Sequence, residues 1–530
     1  MKKKILGILV TTLFVMSTLA SAANVKTYSI EKKTLSANVD SEWVIMFYFD
    51  GDNKLSNYMD DEFEKIRLIG STDDVKIAVL VDGKPLDDTK LYYLDGQIVA
   101  EQEWPMESDM SDPETLIQLS DKVMTDYPAE HYALTILSNK GSGWQGVCWD
   151  EHGDDIMITM PELYDALDTI TENGCFKLGV LLIQSCICGN LELRYQVRQF
   201  CDYFVGYADC GLVGDIPYND ILTDLIENPS MTSEDFATCI INNFVPQDIG
   251  LIEQAMGATD SSKLDELKTA IDELALLFIE KTDLYKEDIQ TALANTRIYG
   301  DQFQIDYYID LVNFLELCNI EDSDFVEVKN NVLNKIENAV AAKVALDGYP
   351  SCGFNFYFPD DKDDYNDALR YSHALPSPYE ETLFAMDTNW DEFLKTYLDL
   401  LDNSAPNVPI ITGPNKGKPG EVIEFILLAI DPQDDDVSFY IEWGDGTYEM
   451  AGSVSSGEEI ALNHIWETEG TYQIKVKSKD QYGAESDWET FEVSMPKNKP
   501  FINTPFLHFL QNIFEKYPDI YPILRYLLRL

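Results

Sequence analysis

Four strand-length runs of this chain are apolar almost without interruption, and they govern what it can fold into. Trp43-Val-Ile-Met-Phe-Tyr-Phe49, Val75-Lys-Ile-Ala-Val-Leu-Val81, Tyr132-Ala-Leu-Thr-Ile-Leu137 and Leu178-Gly-Val-Leu-Leu-Ile183 lack the alternation of a strand with one wet face. Such strands are buried on both sides, which calls for a mostly parallel sheet with helices on each face. Crossover helices are expected at Pro113–Thr125 and Met160–Ile170, with Pro161 in a first turn that tolerates its missing N–H. The stretch Ser261–Lys343 is helix-rich, its Leu264, Leu267, Ile271, Leu274 and Leu277 falling on one face. Gly353–Phe358 then returns as a strand. The fold class expected for residues 42–402 is α/β.

The pattern changes at the linker 403–409, Asn403-Ser-Ala-Pro-Asn-Val-Pro409. Over residues 410–496, Val422–Ile430, Ser438–Trp443, Tyr472–Ser478 and Thr490–Val493 read as short strands divided by turns such as Gly444-Asp-Gly446. That spacing predicts a small β-sandwich. Its Asp431-Pro432, Trp443-Gly-Asp-Gly446, His464, Gly470-Thr-Tyr472 and Asp480-Gln-Tyr-Gly483 resemble a polycystic-kidney-disease-type, immunoglobulin-like module. Asp434, Asp435 and Asp436 offer oxygens that could hold calcium, the plainer alternative being a solvated turn; no cofactor is required. Residues 497–530 form a tail with five cations against two carboxylates, a net of +3. Phe506, Phe509, Leu510 and Phe514 share one helical face there, the form of an element that docks on a membrane surface or a partner, or packs on the sandwich.

At the other end, Lys2, Lys3 and Lys4 precede an apolar run from Ile5 to Leu19 and the small residues Ala20-Ser-Ala22. That order is a secretory signal, residues 1–22, with cleavage expected after Ala22 and a secreted or cell-surface product. The formal charge of −56 argues against nucleic acid as a partner, since phosphate binding needs clustered cations. Nine cysteines at irregular spacing, with only five histidines, suggest neither a disulfide framework nor a zinc site.

In open α/β sheets, chemistry gathers beyond the carboxyl ends of the strands. Two such ends are unusual. After Leu137 comes the glycine-rich bend Ser138-Asn-Lys-Gly-Ser-Gly-Trp144, and after Ile183 comes Gln184-Ser-Cys-Ile-Cys-Gly-Asn-Leu-Glu192. Cys186 thus falls at a strand end and close to an expected helix start, a place that favours a thiolate. A buried structural cysteine is the bland alternative.

The stretch resembles the clostripain family of cysteine endopeptidases, whose fold is caspase-like. In that family one strand ends in Asp-Ala-Cys ahead of a small-residue helix start and a Glu, and another in His-Gly-Ser-Gly-Trp. Here these read Gln184-Ser-Cys186 through Glu192, and Lys140-Gly-Ser-Gly-Trp144. Trp43, Tyr48, Asp52-Asn53, Leu55, Asp150, Asp310-Leu311, Gly353–Pro359, Asn389-Trp390 and Phe393-Leu394 match as well. The resemblance implies that Cys186 is the nucleophile, that Gly141 N–H is an oxyanion donor, and that a polypeptide is the substrate or ligand. It also implies an acidic pocket for Arg or Lys, to which Gln184, Asp209 and Asp215 would contribute.

Two departures stand out. The histidine position is Lys140, and lysine, with an ordinary pKa of about 10.4, is a poor acid or base near neutrality. The pocket aspartate is Gln184, which cannot pair with a guanidinium as a charge. His131 precedes its strand and should lie at the wrong end of the sheet; His152 follows the bend and could fold back. The expectation is a secreted homologue with impaired or absent hydrolysis. The alternatives are an active endopeptidase with a modified dyad, or a non-catalytic peptide-binding or adhesive surface protein.

Overall fold

The computed structural model describes residues 40–516 apart from 96–97, 139–142, 154–156, 212–213, 248–252, 301–307, 350, 363–364, 366–378 and 497–503. The expected secretory leader, Lys140, Gly141 and the end of the tail beyond Lys516 lie outside the described residues. Two compact units divide between Leu394 and Lys395.

The first unit is built on a nine-stranded sheet: β1 (Ser41–Asp50), β2 (Val75–Asp82), β3 (Lys90–Asp95), β4 (Ile98–Glu101), β5 (Ala129–Leu137), β6 (Leu178–Gln184), β7 (Cys201–Tyr207), β8 (Ala255–Asp260) and β9 (Val340–Ala345). The order is β9-β8-β7-β6-β5-β1-β2-β3-β4. The pairs β1–β2, β1–β5, β5–β6 and β6–β7 are parallel, whereas both edges are extended by antiparallel strands. All four apolar runs are central strands, where burial on two faces is possible.

Alternate residues divide between those faces. Trp43, Ile45, Phe47 and Phe49 share a core with Met59 and Ile66 of helix α1 (Ser56–Ile69), and with Ile221, Leu225, Phe236 and Ile240 of two later helices. On the opposite side, helix α2 (Pro113–Asp126) packs on β1 and on helix α3 (Met160–Ile170). Asp112 caps α2 by accepting from Glu114 N–H, and a reciprocal Thr159–Glu162 capping box starts α3 ahead of Pro161.

One expected strand is shorter than its apolar pattern. Within Gly353–Phe358 Phe356–Tyr357 is the strand, in a small antiparallel sheet with Tyr308–Ile309 and Ile298–Tyr299, and Asn355 makes an isolated bridge to Asn190. Gly353 lies at φ +95°, and its carbonyl is taken by a side chain instead of a strand.

That side chain is Arg194, fully buried in helix α4 (Leu191–Val197). Its Nε donates to Gly189 O at 2.8 Å, and Nη1 donates to Thr259 Oγ1 at 2.6 Å and Phe204 O at 3.3 Å. Nη2 donates to Gly353 O at 3.1 Å, Gly257 O at 3.2 Å and Gly206 O at 3.4 Å. The carbonyls converge because Gly257 has no side chain: a Cβ there would stand 2.2 Å from Gly353 O. Burial pulls the guanidinium down to about 9, which leaves it cationic near neutral pH.

The second unit carries two antiparallel sheets. Ile410–Thr412, Val422–Leu428 and Ile460–Ile465 form one; Tyr448–Val454, Val437–Glu442, Gly470–Asp480 and Glu489–Met495 form the other. Phe425, Ile441, Trp443, Trp466, Val476 and Val493 fill the core of this sandwich. His464 stacks on Trp443 at 4.5 Å and reaches Asp445 Oδ2 at 2.8 Å, so the turn Gly444-Asp-Gly446 is tied to the opposite sheet. Asp434 closes a turn from Asp431, its N–H donating to Asp431 O at 3.2 Å, and Asp435 Oδ1 accepts from Gln481 Nε2 at 2.6 Å. A helix spans Thr504–Lys516, and no helix among the described residues is long and apolar enough to cross a membrane.

Candidate active site

Adjacent parallel strands bring the two unusual segments together. Leu137 at the end of β5 pairs with Gln184 at the end of β6, and Ser138 N–H donates to Gln184 O at 3.3 Å. Cys186 therefore follows, by two residues, the same end of the sheet at which the segment leading to the glycine-rich bend begins. Farther along the bend, the backbone of Gly143 reaches the Cys188 sulfur. Gly143 sits at φ +62°, and a Cβ there would stand 1.9 Å from Tyr308 Oη. Trp144 N–H donates to that same Tyr308 hydroxyl at 3.2 Å, while the indole lies edge-on to Tyr357 and Tyr379. Both tyrosines also serve Glu192, whose Oε1 accepts from Tyr357 N–H at 3.1 Å and Tyr379 Oη–H at 3.2 Å. Burial pushes the Glu192 carboxyl up to about 7.

Cys186 is not at a helix start, contrary to expectation. Helix α4 begins at Leu191 behind the cap Asn190, whose Oδ1 accepts from Leu193 N–H at 2.7 Å. The thiol instead rides on a turn, 185–190, that other elements hold. Asn355 Nδ2 donates to Ile187 O at 3.2 Å and Ala208 O at 2.6 Å, and Asn355 O accepts from Leu191 N–H at 2.9 Å. Ile187 takes φ +53°, a left-handed conformation that a β-branched residue adopts only when its surroundings impose it.

The half-buried Cys186 Sγ lies 3.8 Å from Gly211 O. Its thiol is held below the ordinary range, chiefly by a hydrogen bond from the Cys210 side chain and also by the backbone of Gly211. Burial and the charges of Asp209 and Asp215 oppose that shift without cancelling it. The neighbouring Cys188 is the reverse case, pushed up to about 12 by burial.

A model described as the clostripain family matches residues 47–397, well over half of the chain. This chain belongs to the clostripain family. A PKD domain model matches residues 403–495. Among curated relatives, clostripain of Hathewaya histolytica is 23% identical over 385 residues, spanning 57% of this chain and 71% of that protein. Among solved structures, the secreted C11 cysteine protease "iotapain" of Bacteroides thetaiotaomicron has a TM-score of 0.50 at 14% identity, covering 66% of this chain and 100% of that one. That likeness is one of fold. The PKD domain of an M14-like peptidase from a Thermoplasmatales archaeon is 44% identical over 18% of this chain and 99% of that one, with a TM-score of 0.18.

In this clostripain-family unit the expected pocket residues do gather round Cys186, though with their polar atoms largely engaged. Gln184 is buried; its Oε1 accepts from the Tyr218 hydroxyl, and its Nε2 is a buried donor with no partner. Asp209 Oδ1 accepts from Cys210 N–H at 2.8 Å and Gly300 N–H at 3.2 Å. Asp215 accepts from the Tyr207 hydroxyl and from Gln254 Nε2 at 2.7 Å.

Neither histidine near the bend in sequence is placed at the thiol. His131 stacks on Trp43 at 4.7 Å, toward the amino end of β5. The Nδ1 of His152 lies 2.5 Å from Asp52 Oδ2, just past β1. The sequence reading missed Cys210, which nothing short of the β7 register would pair with Cys186. It also missed Asp50, whose Oδ2 accepts from Ser138 Oγ–H at 2.9 Å and Trp149 N–H at 2.7 Å and so closes the segment bearing the bend. The acidic strand end of β1 was a visible signal for it.

Iodoacetamide labelling of the folded chain near pH 7, followed peptide by peptide, should modify Cys186 faster than the exposed Cys175 and far faster than the buried Cys188. Equal rates at Cys186 and Cys175 would show that the thiol is not activated.

Proposed function

We propose that this chain is an exported clostripain homologue that binds polypeptides and in which amide hydrolysis is impaired. The observation that carries the reading is a retained, poised thiol with no imidazole beside it among the described residues. Lys140 holds the histidine position, and His131 and His152 are engaged elsewhere.

The two halves of amide cleavage fare differently. Attack needs a thiolate, and a cationic Lys140 beside Cys186 would stabilise one. Collapse of the tetrahedral intermediate needs an acid to protonate the leaving amine, and an ammonium in acidic surroundings gives up its proton reluctantly. Loss of such a group typically removes about 10²–10⁴ in rate. Gly141 N–H is the candidate donor to the oxyanion. Gln184 replaces the acidic wall of the pocket with a neutral amide, which leaves Asp209 and Asp215, each already accepting from neighbouring groups, as the carboxylates for a basic side chain. The lowered Cys186 thiol favours one second reading, an active endopeptidase in which Lys140 works as the partner.

Placement belongs to the same proposal. The leader at residues 1–22 exports the chain, and the +3 tail at 497–530 holds it at the envelope surface. Deleting the tail should release the protein to the medium; unchanged fractionation would exclude that role.

Lys140→His should raise peptide hydrolysis by at least about 10²-fold, and Cys186→Ala in that background should abolish it. Adding Gln184→Asp should shift the restored activity toward arginyl and lysyl substrates. Brisk cleavage by the unmodified chain, lost in Cys186→Ala and indifferent to His152→Ala, would establish the second reading instead.

A further inference from the structure

The turn that carries the thiol doubles back along the end of β7, and this brings a second cysteine to it. Ile187 N–H donates to Asp209 O at 3.1 Å, and Gly189 N–H donates to Tyr207 O at 2.8 Å. The second bond lies two residues on along the turn and two residues back along the other segment, which is the spacing of antiparallel pairing. One step outward in that register, Cys186 falls opposite Cys210. Opposed residues in such a pairing have Cα atoms about 4.5–5.5 Å apart, inside the span of about 4.4–6.8 Å that a disulfide bridges. The side chains meet as the backbones do: Cys210 hydrogen-bonds the Cys186 thiol, whose Sγ also lies 3.8 Å from Gly211 O.

The two sulfurs differ in access. Cys186 is half-buried, whereas Cys210 is fully buried, so a reagent from solvent meets Cys186 first. Both are free thiols in this structure. Cys188 is nearer in the chain, but it is buried and stands two residues from Cys186 in the same turn, where close neighbours seldom attain disulfide geometry.

We propose that Cys186 and Cys210 form a reversible disulfide that takes Cys186 out of use under oxidising conditions. The oxidant is a small-molecule disulfide. The Cys186 thiolate attacks one of its sulfurs and breaks its S–S bond; a mixed disulfide forms on Cys186, and one thiolate departs and takes a proton from water. Cys210 then attacks the Cys186 sulfur, the S–S bond of the mixed disulfide breaks, and the second thiolate leaves with the Cys210 proton. The two cysteines lose two electrons and two protons, and the small disulfide gains them as two thiols. A thiol held below the ordinary range, as Cys186 is, starts such an exchange near neutral pH. The bridge also shields Cys186 from the irreversible oxidation that an accessible thiolate invites. Thiol chemistry reports the switch without turnover, so it holds whether or not the chain hydrolyses amides.

The test equilibrates the full chain with graded ratios of oxidised to reduced glutathione, quenches in acid, alkylates the remaining thiols and maps every cysteine by tandem mass spectrometry. As the oxidised fraction rises, Cys186 and Cys210 should lose labelling together and appear as one cross-linked peptide pair, and dithiothreitol should restore both. The exposed Cys175 should carry glutathione in the same samples. Iodoacetamide labelling of Cys186 in the folded chain should fall by at least about tenfold on oxidation. In Cys210→Ser, which keeps a small hydrogen-bond donor at that position, Cys186 should stop at the glutathione adduct. The proposal is overturned if Cys186 of the unmodified chain keeps glutathione, links to Cys188 or stays free while Cys175 is modified. It is overturned equally if Cys186 of the Cys210→Ser chain still cross-links within the chain.

Discussion

A guanidinium with no carboxylate partner among the described residues holds the thiol's turn against the sheet. Arg194 draws together carbonyls from the turn itself at Gly189, from β7 and β8, and from the loop at Gly353. Each of those carbonyls is buried, and leaving one unmet costs about 1–3 kcal/mol, so the cation can be removed only by exposing several at once. Asn355 acts on the other side of the same turn, through Ile187 O and Ala208 O. The strained Ile187 between these contacts explains how Cys186 is presented without help from a helix dipole. Cys186 is positioned by long-range bonds, and its local sequence would not position it alone.

That distinction also marks what could be read from the sequence. The four uninterrupted apolar runs specified the central parallel strands, since only burial on both faces accounts for them. Pro161 helped to place the helix Met160–Ile170 because a first-turn signal acts within one turn. The antiparallel edge strands were not foreseen; their pairing is set by partners far along the chain. Gly353–Phe358 looked like a strand throughout because nothing local showed that Arg194 would claim its first carbonyl. Cys186 was legible as a strand-end thiol, yet its stabilising neighbour Cys210 arrives from the end of β7, a register that no spacing encodes.

The surroundings of the thiol separate the two tasks of a cysteine peptidase. Cys186 is lowered while Cys188, two residues away and fully buried, is raised, so the site favours one thiolate selectively. The proton donor for the leaving group is a separate requirement, and the chain offers lysine at that position. Gln184, beside Cys186, is a neutral amide whose oxygen is already bound to Tyr218.

The most direct measurement therefore compares leaving groups. A nitrophenyl ester departs without protonation, whereas a peptide amide does not. Mixed with the unmodified chain, an activated ester of a short peptide should give a Cys186-dependent burst of about one nitrophenol per chain, while the matching amide stays intact. Sustained amide cleavage that vanishes in Cys186→Ala, or the absence of any ester burst, would contradict the account.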